Sequence, residues 1–138
     1  MSAYIEGTVS IKDKDCLIAA LVEMGYAAKN IEVHETGQNL YGYRGDKRSQ
    51  TAEVIVRRKH VGSASNDLGF AYDGKEWKAI VSAYDTNFLK SKHSCGGSFL
   101  DEVSTRAAVI AAERKMKKRG FTTTRKQEGR KIRLVVHS

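Results

Sequence analysis

The sequence predicts an α+β fold, a largely antiparallel sheet of about five strands with two helices on one face in a ferredoxin-like order. Three observations carry this expectation. Period-two alternation of apolar and polar residues recurs in several short segments, and helical spacing recurs between Asp13 and Gly25 and again between Ser98 and Gly120. The dipeptide Asp73-Gly74 separates two strand-like runs and marks a hairpin, because both central positions of a two-residue turn need positive φ. With 138 residues, 41% hydrophobic and 29% charged, the chain can bury a core without disulfides or metal, and one α+β domain is expected over residues 1–138.

Tyr4 to Ile11 alternates, Ile5, Val9 and Ile11 against Glu6, Thr8 and Ser10, and predicts the first strand. Asp13 then offers an N-cap and Asp15 a charge that suits the first turn. Leu17, Leu21 and Met24 recur at helical spacing until Gly25 supplies a left-handed stop. Ile31 and Val33 predict a short strand, Thr36 to Asn39 a turn, and the glycine-rich Leu40 to Gly45 an irregular edge. Thr51 to Arg58 predicts a strand with Ala52, Val54 and Val56 facing inward, followed by a flexible loop at Gly62 to Asn66.

The hairpin arms are Leu68 to Tyr72 and Lys75 to Tyr84, with Trp77, Ala79, Val81 and Ala83 on one face. Asp85 to Gly97 is expected as a long loop. Ser98 with Asp101 resembles a capping box and opens a helix from Phe99 to Arg119 whose core stripe is Leu100, Val103, Ala107, Ile110 and Ala111. After a Glu128-Gly129 turn, Ile132, Leu134 and Val136 alternate as a single closing strand.

Several landmarks recur in a family. They are Ile11-Lys12-Asp13 with Leu17, Ala20 and Leu21, then Gly42-Tyr43-Arg44-Gly45 ahead of Ala52 to Val56, and Asp67-Leu68-Gly69-Phe70 with Gly74-Lys75. Phe99-Leu100, Ser104 to Arg106, Gly120-Phe121 and Ile132 to Val135 complete the set. In order and spacing they resemble the thirty-fifth hypothetical chloroplast reading frame family, a domain-of-unknown-function family of algal plastids, cyanobacteria, other bacteria and phages. The resemblance implies a compact α+β domain and carries over no activity, cofactor or catalytic residue. The chain departs from the family pattern before the long helix, where tryptophans and a proline are expected. It departs again after Arg106, where Ala107 and Ala108 replace aromatic residues.

Charge supplies the functional expectation. From Arg114 onward ten Lys or Arg stand against Glu128 alone, a net of +9 within a whole-chain +8, so the residues before Arg114 sum to −1. A pI near 9.6 with its cations clustered at one end is the footprint of phosphate binding. The candidate nucleic-acid contacts are Arg114, Lys115, Lys117, Lys118, Arg119, Arg125, Lys126, Arg130, Lys131 and Arg133, engaging RNA or DNA with little sequence selectivity. The competing expectation is a regulatory or protein-interaction subunit, such as a phage-encoded modulator, whose cations meet an acidic protein; charge alone does not separate the two.

Gly69-Phe70-Ala71-Tyr72 echoes the strand motif in which aromatics two apart stack on RNA bases, although core packing explains both rings as well. Lys92, His93, Gly96, Gly97 and Ser98 form a candidate anion site, since glycine-rich backbone at a helix start can hold an anion, and Cys95 lies within it. The cysteines and histidines show no paired zinc spacing and no nucleophile elbow is present, so no catalytic, cofactor or metal residue is assigned. Without a long apolar run or secretory leader the protein is expected in the cytoplasm, with Cys16 and Cys95 as free thiols.

Overall fold

Five antiparallel strands in the order β1-β5-β4-β3-β2 form the main sheet. These are β1 (Tyr4–Val9), β2 (Ile31–Tyr41), β3 (Lys47–Val56), β4 (Leu68–Tyr72) and β5 (Trp77–Ser82). The computed structural model describes residues 4–9, 11–128 and 131–137. The mixed α+β class and the antiparallel pairing match the sequence expectation, but the ferredoxin-like order does not. Tight connections join β2 to β3 and β4 to β5, so sequence neighbours stay sheet neighbours and β1 closes the meander beside β5.

The single closing strand expected at the end of the chain is instead a pair. β6 (Thr122–Glu128) and β7 (Lys131–His137) form a separate antiparallel ribbon; of the expected Glu128-Gly129 turn, Glu128 ends β6 and Gly129 lies outside the described residues. Thr122 to Glu128 has no apolar alternation and is largely exposed, so only its three threonines spoke for a strand.

Helix α1 (Lys14–Glu23) starts where expected, with the Asp13 side chain accepting from the Asp15 amide at 2.8 Å. Gly25 ends it at φ +108°, a conformation that L side chains rarely adopt. A short helical turn, α2 (Arg58–Val61), follows β3. The long helix α4 (Phe99–Lys118) is capped by Ser98 Oγ, which accepts from the Asp101 amide at 3.1 Å. It closes through Gly120 at φ +85°, with the Phe121 amide donating back to Met116 at 3.0 Å. Leu17, Ala20 and Leu21 of α1 and Phe99, Val103, Ala107 and Ile110 of α4 bury one sheet face over Val54, Val56, Phe70, Trp77, Ala79 and Val81. Phe99 belongs to the stripe and Leu100 is only partly buried, while Ala111, expected in the core, is exposed.

Two segments expected as irregular are regular. Asp85 to Gly97 was expected as a loop, yet most of it is helix α3 (Ala83–Lys92), which includes Ala83. Ser82 Oγ accepts from the Asp85 amide at 3.0 Å, a cap at capping-box spacing, and Leu89 anchors the helix in the core. Thr36 to Asn39 is not a turn but part of β2, whose pairing with β3 shifts register between Val33 and Gln38 and again between Asn39 and Tyr41. The actual turn is Gly42 to Asp46. Beyond the first irregularity, Leu40 and Ala52 pack with Ile55 and Ile80 in a second small core, so Ile55, expected outward, is buried. Gly69 lies beneath this packing: a Cβ there would come within 2.8 Å of the Ala52 Cβ.

The Asp73-Gly74 hairpin is present with a longer turn than a two-residue loop. Tyr72 pairs with Trp77, and the Asp73 carboxylate accepts from the Lys75 and Glu76 amides at 2.9 Å each. Among the described residues no helix is long and apolar enough to cross a membrane.

Candidate nucleic-acid interface

The ten cations separate into distinct environments. Arg114, Lys115, Lys117 and Lys118 occupy the last turns of α4 and Arg119 its C-cap, and all five are exposed. Among the described residues no acid pairs with Lys115, Lys117, Lys118 or Arg119. Arg114 reaches back to α1, its guanidinium 3.9 Å from Cys16 Sγ. On the ribbon Lys126 is exposed, and Arg133 lies 3.4 Å from Glu128 with both side chains largely in solvent. Lys131 pairs through its backbone with Glu128, whereas Arg130 lies outside the described residues.

Arg125 differs from the rest. Its Nε and Nη2 donate to Glu113 at 2.9 and 2.7 Å, and Nη2 donates to Glu23 at 3.0 Å. Strand alternation turns Arg125 toward α4 and α1 and leaves Lys126 facing water. Hydrogen bonds donated to Glu113 and Glu23 raise the guanidinium pKa, so the charge is permanent and already matched. Arg125 clamps the ribbon to the helices and is removed from the set of free phosphate contacts.

The aromatic pair also divides. Phe70 is fully buried beneath α1 and α4 and has no face to offer a base. Tyr72, two residues on at the strand end, is 44% exposed, with its ring 5.3 Å from that of Trp77. A shallow groove of about 390 Å³ opens there, with Lys12 and Lys14 on one rim and Glu35 and Glu53 on the other.

The candidate anion loop is not assembled as a cationic cradle. Lys92 donates to the Val61 carbonyl at 2.8 Å and its Nζ sits 5.5 and 5.8 Å from the ring centroids of Tyr26 and Phe88. His93 Nε2 lies 2.8 Å from the Tyr26 hydroxyl, and burial, aided by Lys92 and Arg106, lowers its pKa. Gly96, Gly97 and Ser98 do line a polar cavity of about 460 Å³, but Asp101 and Glu102 share it. Arg106 beside them is held by Glu102 at 2.8 Å and Glu23 at 3.1 Å. Burial pushes the Cys95 and Cys16 thiols up, opposite to an activated cysteine. Among the described residues no three His, Cys, Asp or Glu gather as metal ligands.

The strongest polar constellation was not expected. Asp67, which directly follows the segment expected as a flexible loop, is 1% exposed. One carboxylate oxygen accepts from the Arg58 amide at 2.7 Å, and the other from the Tyr41 amide at 2.8 Å and Arg57 Nη1 at 2.9 Å. Arg57 forks onto Glu32 at 2.7 and 2.9 Å, and those bonds hold the Glu32 pKa low. Asn66 accepts from the Tyr43 amide at 3.0 Å, while its own amides donate to Ser82 Oγ and Asp85 at 2.9 Å each. Residues 65–67 thus fasten the β2–β3 tip to β5 and α3. No spacing in the sequence announces this, because the partners come from four separated segments.

Neither a curated protein nor a solved structure matches the chain. The profile of a family described as protein of unknown function, DUF1257, covers residues 20–135, which include α4, all of β6, most of β7 and the Asp67 hub. The chain therefore belongs to the DUF1257 family, found in plastids, cyanobacteria, other bacteria and phages.

Proposed function

We propose that this protein is a small cytoplasmic module that binds nucleic-acid phosphates through the end of α4, largely without regard to sequence. The observation that carries the reading is the exposed set Arg114, Lys115, Lys117, Lys118 and Arg119. At 100° per residue these cations spread over roughly 200° of the helix circumference, and the remaining arc holds Glu113 and Met116. Glu113 is the residue that Arg125 of the ribbon grips, so the ribbon packs on that arc, with Arg114 and Lys117 at its border. Phe121, 36% exposed, lines a shallow depression with Arg114 and Lys117, giving the charged surface an apolar spot. Lys126 and Arg133 add cations from the ribbon, and Arg125 adds none.

Fluorescence anisotropy with a short single-stranded RNA, titrated between about 50 and 200 mM salt, tests the reading. Affinity is expected to fall steeply with salt. Replacing Lys115, Lys117 and Lys118 together by Ala should reduce the magnitude of the log–log slope by about 2, since each single-strand phosphate contact contributes about 0.7. Salt-independent binding, or an unchanged slope in the triple variant, would overturn it. So would a pull-down in which one acidic protein partner is retained after nuclease treatment while nucleic acid shows no affinity.

A further inference from the structure

The Tyr72–Trp77 groove is linked to the end of α4 through the start of α1. The Trp77 amide donates to the Ile11 carbonyl at 3.1 Å, which places the indole next to the segment carrying Lys12 and Lys14. Asp13 caps α1 between those lysines, and Cys16 in the first turn of α1 is the residue that Arg114 of α4 reaches at 3.9 Å. Arg114 thus joins the end of α4 to the start of α1, where Lys12 and Lys14 alternate with Asp13 and Asp15. The positive end of the α1 dipole is already met there by the Asp13 carboxylate and by Asp15 in the first turn.

The groove itself is chemically asymmetric. Lys12 and Lys14 follow β1 while Glu53 and Glu35 lie on β3 and β2, so in the sheet order Trp77 of β5 and Tyr72 of β4 come between them. One Glu53 oxygen already accepts from the Tyr72 amide at 3.3 Å. The two rings are tilted at 45°, so the exposed part of Tyr72 is not covered by its neighbour. The Trp77 indole N–H is buried with no acceptor among the described residues, and its desolvation is uncompensated. A phosphate chain is repelled by the acidic side and attracted to the lysine side. The acidic side offers carboxylate oxygens, which accept from the exocyclic amino groups that adenine, cytosine and guanine carry and that uracil and thymine lack.

We propose that this groove holds one unpaired nucleobase of a single-stranded nucleic acid, stacked on Tyr72, with its backbone on Lys12 and Lys14 and a preference for amino-bearing bases. The inference rests on the nucleic-acid reading of the α4 end and specifies single strands as its substrate. A duplex cannot enter, because its bases are already stacked and paired. Cations on α4 act as the electrostatic track, the Tyr72 ring supplies stacking to any base, and the carboxylates of Glu35 and Glu53 are the sequence-sensitive contact.

Trp77 is the sole tryptophan of the chain, so its fluorescence reports on this groove alone. The experiment titrates the full chain with single-stranded oligoadenylate and oligouridylate of about twelve nucleotides, within the site size of single-strand binders, and with a duplex of equal length. Anisotropy of the labelled strand and Trp77 emission are read together. Oligoadenylate is expected to quench Trp77 and to bind more tightly than oligouridylate, and the duplex to leave the emission unchanged. Tyr72→Leu should weaken oligoadenylate binding roughly tenfold, with Tyr72→Phe close to wild type. Circular dichroism melts confirm that both variants fold. Lys12→Ala with Lys14→Ala should reduce the magnitude of the salt slope by about 1.4.

If oligonucleotides bind in a salt-sensitive way that needs Lys115, Lys117 and Lys118, but Trp77 emission stays constant and Tyr72→Leu is neutral, the groove proposal fails and the phosphate-binding reading stands. Equal quenching by the duplex also overturns the groove. Absence of any binding overturns both.

Discussion

Arg125 of β6 and Glu23 at the end of α1, 102 residues apart in the chain, are joined by a guanidinium–carboxylate contact that fixes the C-terminal ribbon to the helical layer. Glu113 completes the clamp from α4, so one arginine closes three elements on one another. The same residue looked from sequence like one more member of a basic tail. Its bonds show that the cationic end contains a structural residue, and a charge-removal experiment has to treat it separately from its neighbours.

Arg125→Ala is expected to destabilise the fold by about 1–2 kcal/mol, a bidentate network discounted because each side chain is roughly one-third exposed. Hydrogen bonds from Arg125 hold the Glu23 pKa below the usual carboxylate range. A carboxyl group depressed in the folded state contributes stability that is present above its unfolded pKa, near 4.3, and is lost as pH falls through the lower folded value. Urea melts at pH 7 and pH 3 check this: the gap between wild type and variant should be full at pH 7 and narrowed at pH 3. Lys117→Ala, by contrast, should leave the unfolding free energy within about 0.5 kcal/mol of wild type.

Asp67→Ala should be the most damaging of the substitutions considered, at about 3–5 kcal/mol. Removing the carboxylate leaves the Arg58 and Tyr41 amides without their acceptor, while Arg57 Nη1 keeps only the Asn39 carbonyl at 3.1 Å. Asp67→Asn retains one acceptor oxygen but turns an amide donor toward other donors, so it should recover only part of the loss. Urea denaturation measures the size of the effect. Hydrogen exchange locates it, with the Tyr41 and Tyr43 amides losing protection before those of β4 and β5.

The contrast between Arg125 and Asp67 indicates which features a sequence can disclose. Periodicity reports which residues face a core, and it placed α1, α4, the β4–β5 hairpin and the inward Val54 and Val56 correctly. Local capping chemistry was legible too, at Asp13 and Ser98; the same signal at Ser82 and Asp85 was present and was outweighed by the polar composition of α3. Register irregularities in β2 and the burial of Asn66 and Asp67 were not legible, because they depend on partners 9 to 26 residues away. Among the site residues, charge clustering found the exposed end of α4. It could not tell Lys126 from Arg125, whose difference is which face of a strand each occupies.

His93 offers a test of the α3–α4 junction that is independent of nucleic acid. Its imidazole sits 2.8 Å from the Tyr26 hydroxyl, between the rings of Tyr26 and Phe99 at 5.5 and 5.6 Å. Burial is the main cause of its lowered pKa; Lys92 and Arg106 add to the lowering and Glu102 opposes it. Burial likewise raises the Tyr26 pKa, so the phenol keeps its proton and the contact is between neutral groups. For a histidine lowered in the folded state, the unfolded chain binds more protons between the two pKa values, so stability is full above about 6.5 and declines as pH falls toward the folded value. The contribution should stay under about 1 kcal/mol, because the ring is only partly buried. His93→Gln keeps a partner for Tyr26 and does not titrate, so its melting temperature should change less between pH 7.5 and 5 than that of wild type. Equal pH slopes for the two proteins would show that His93 is not held neutral by the junction.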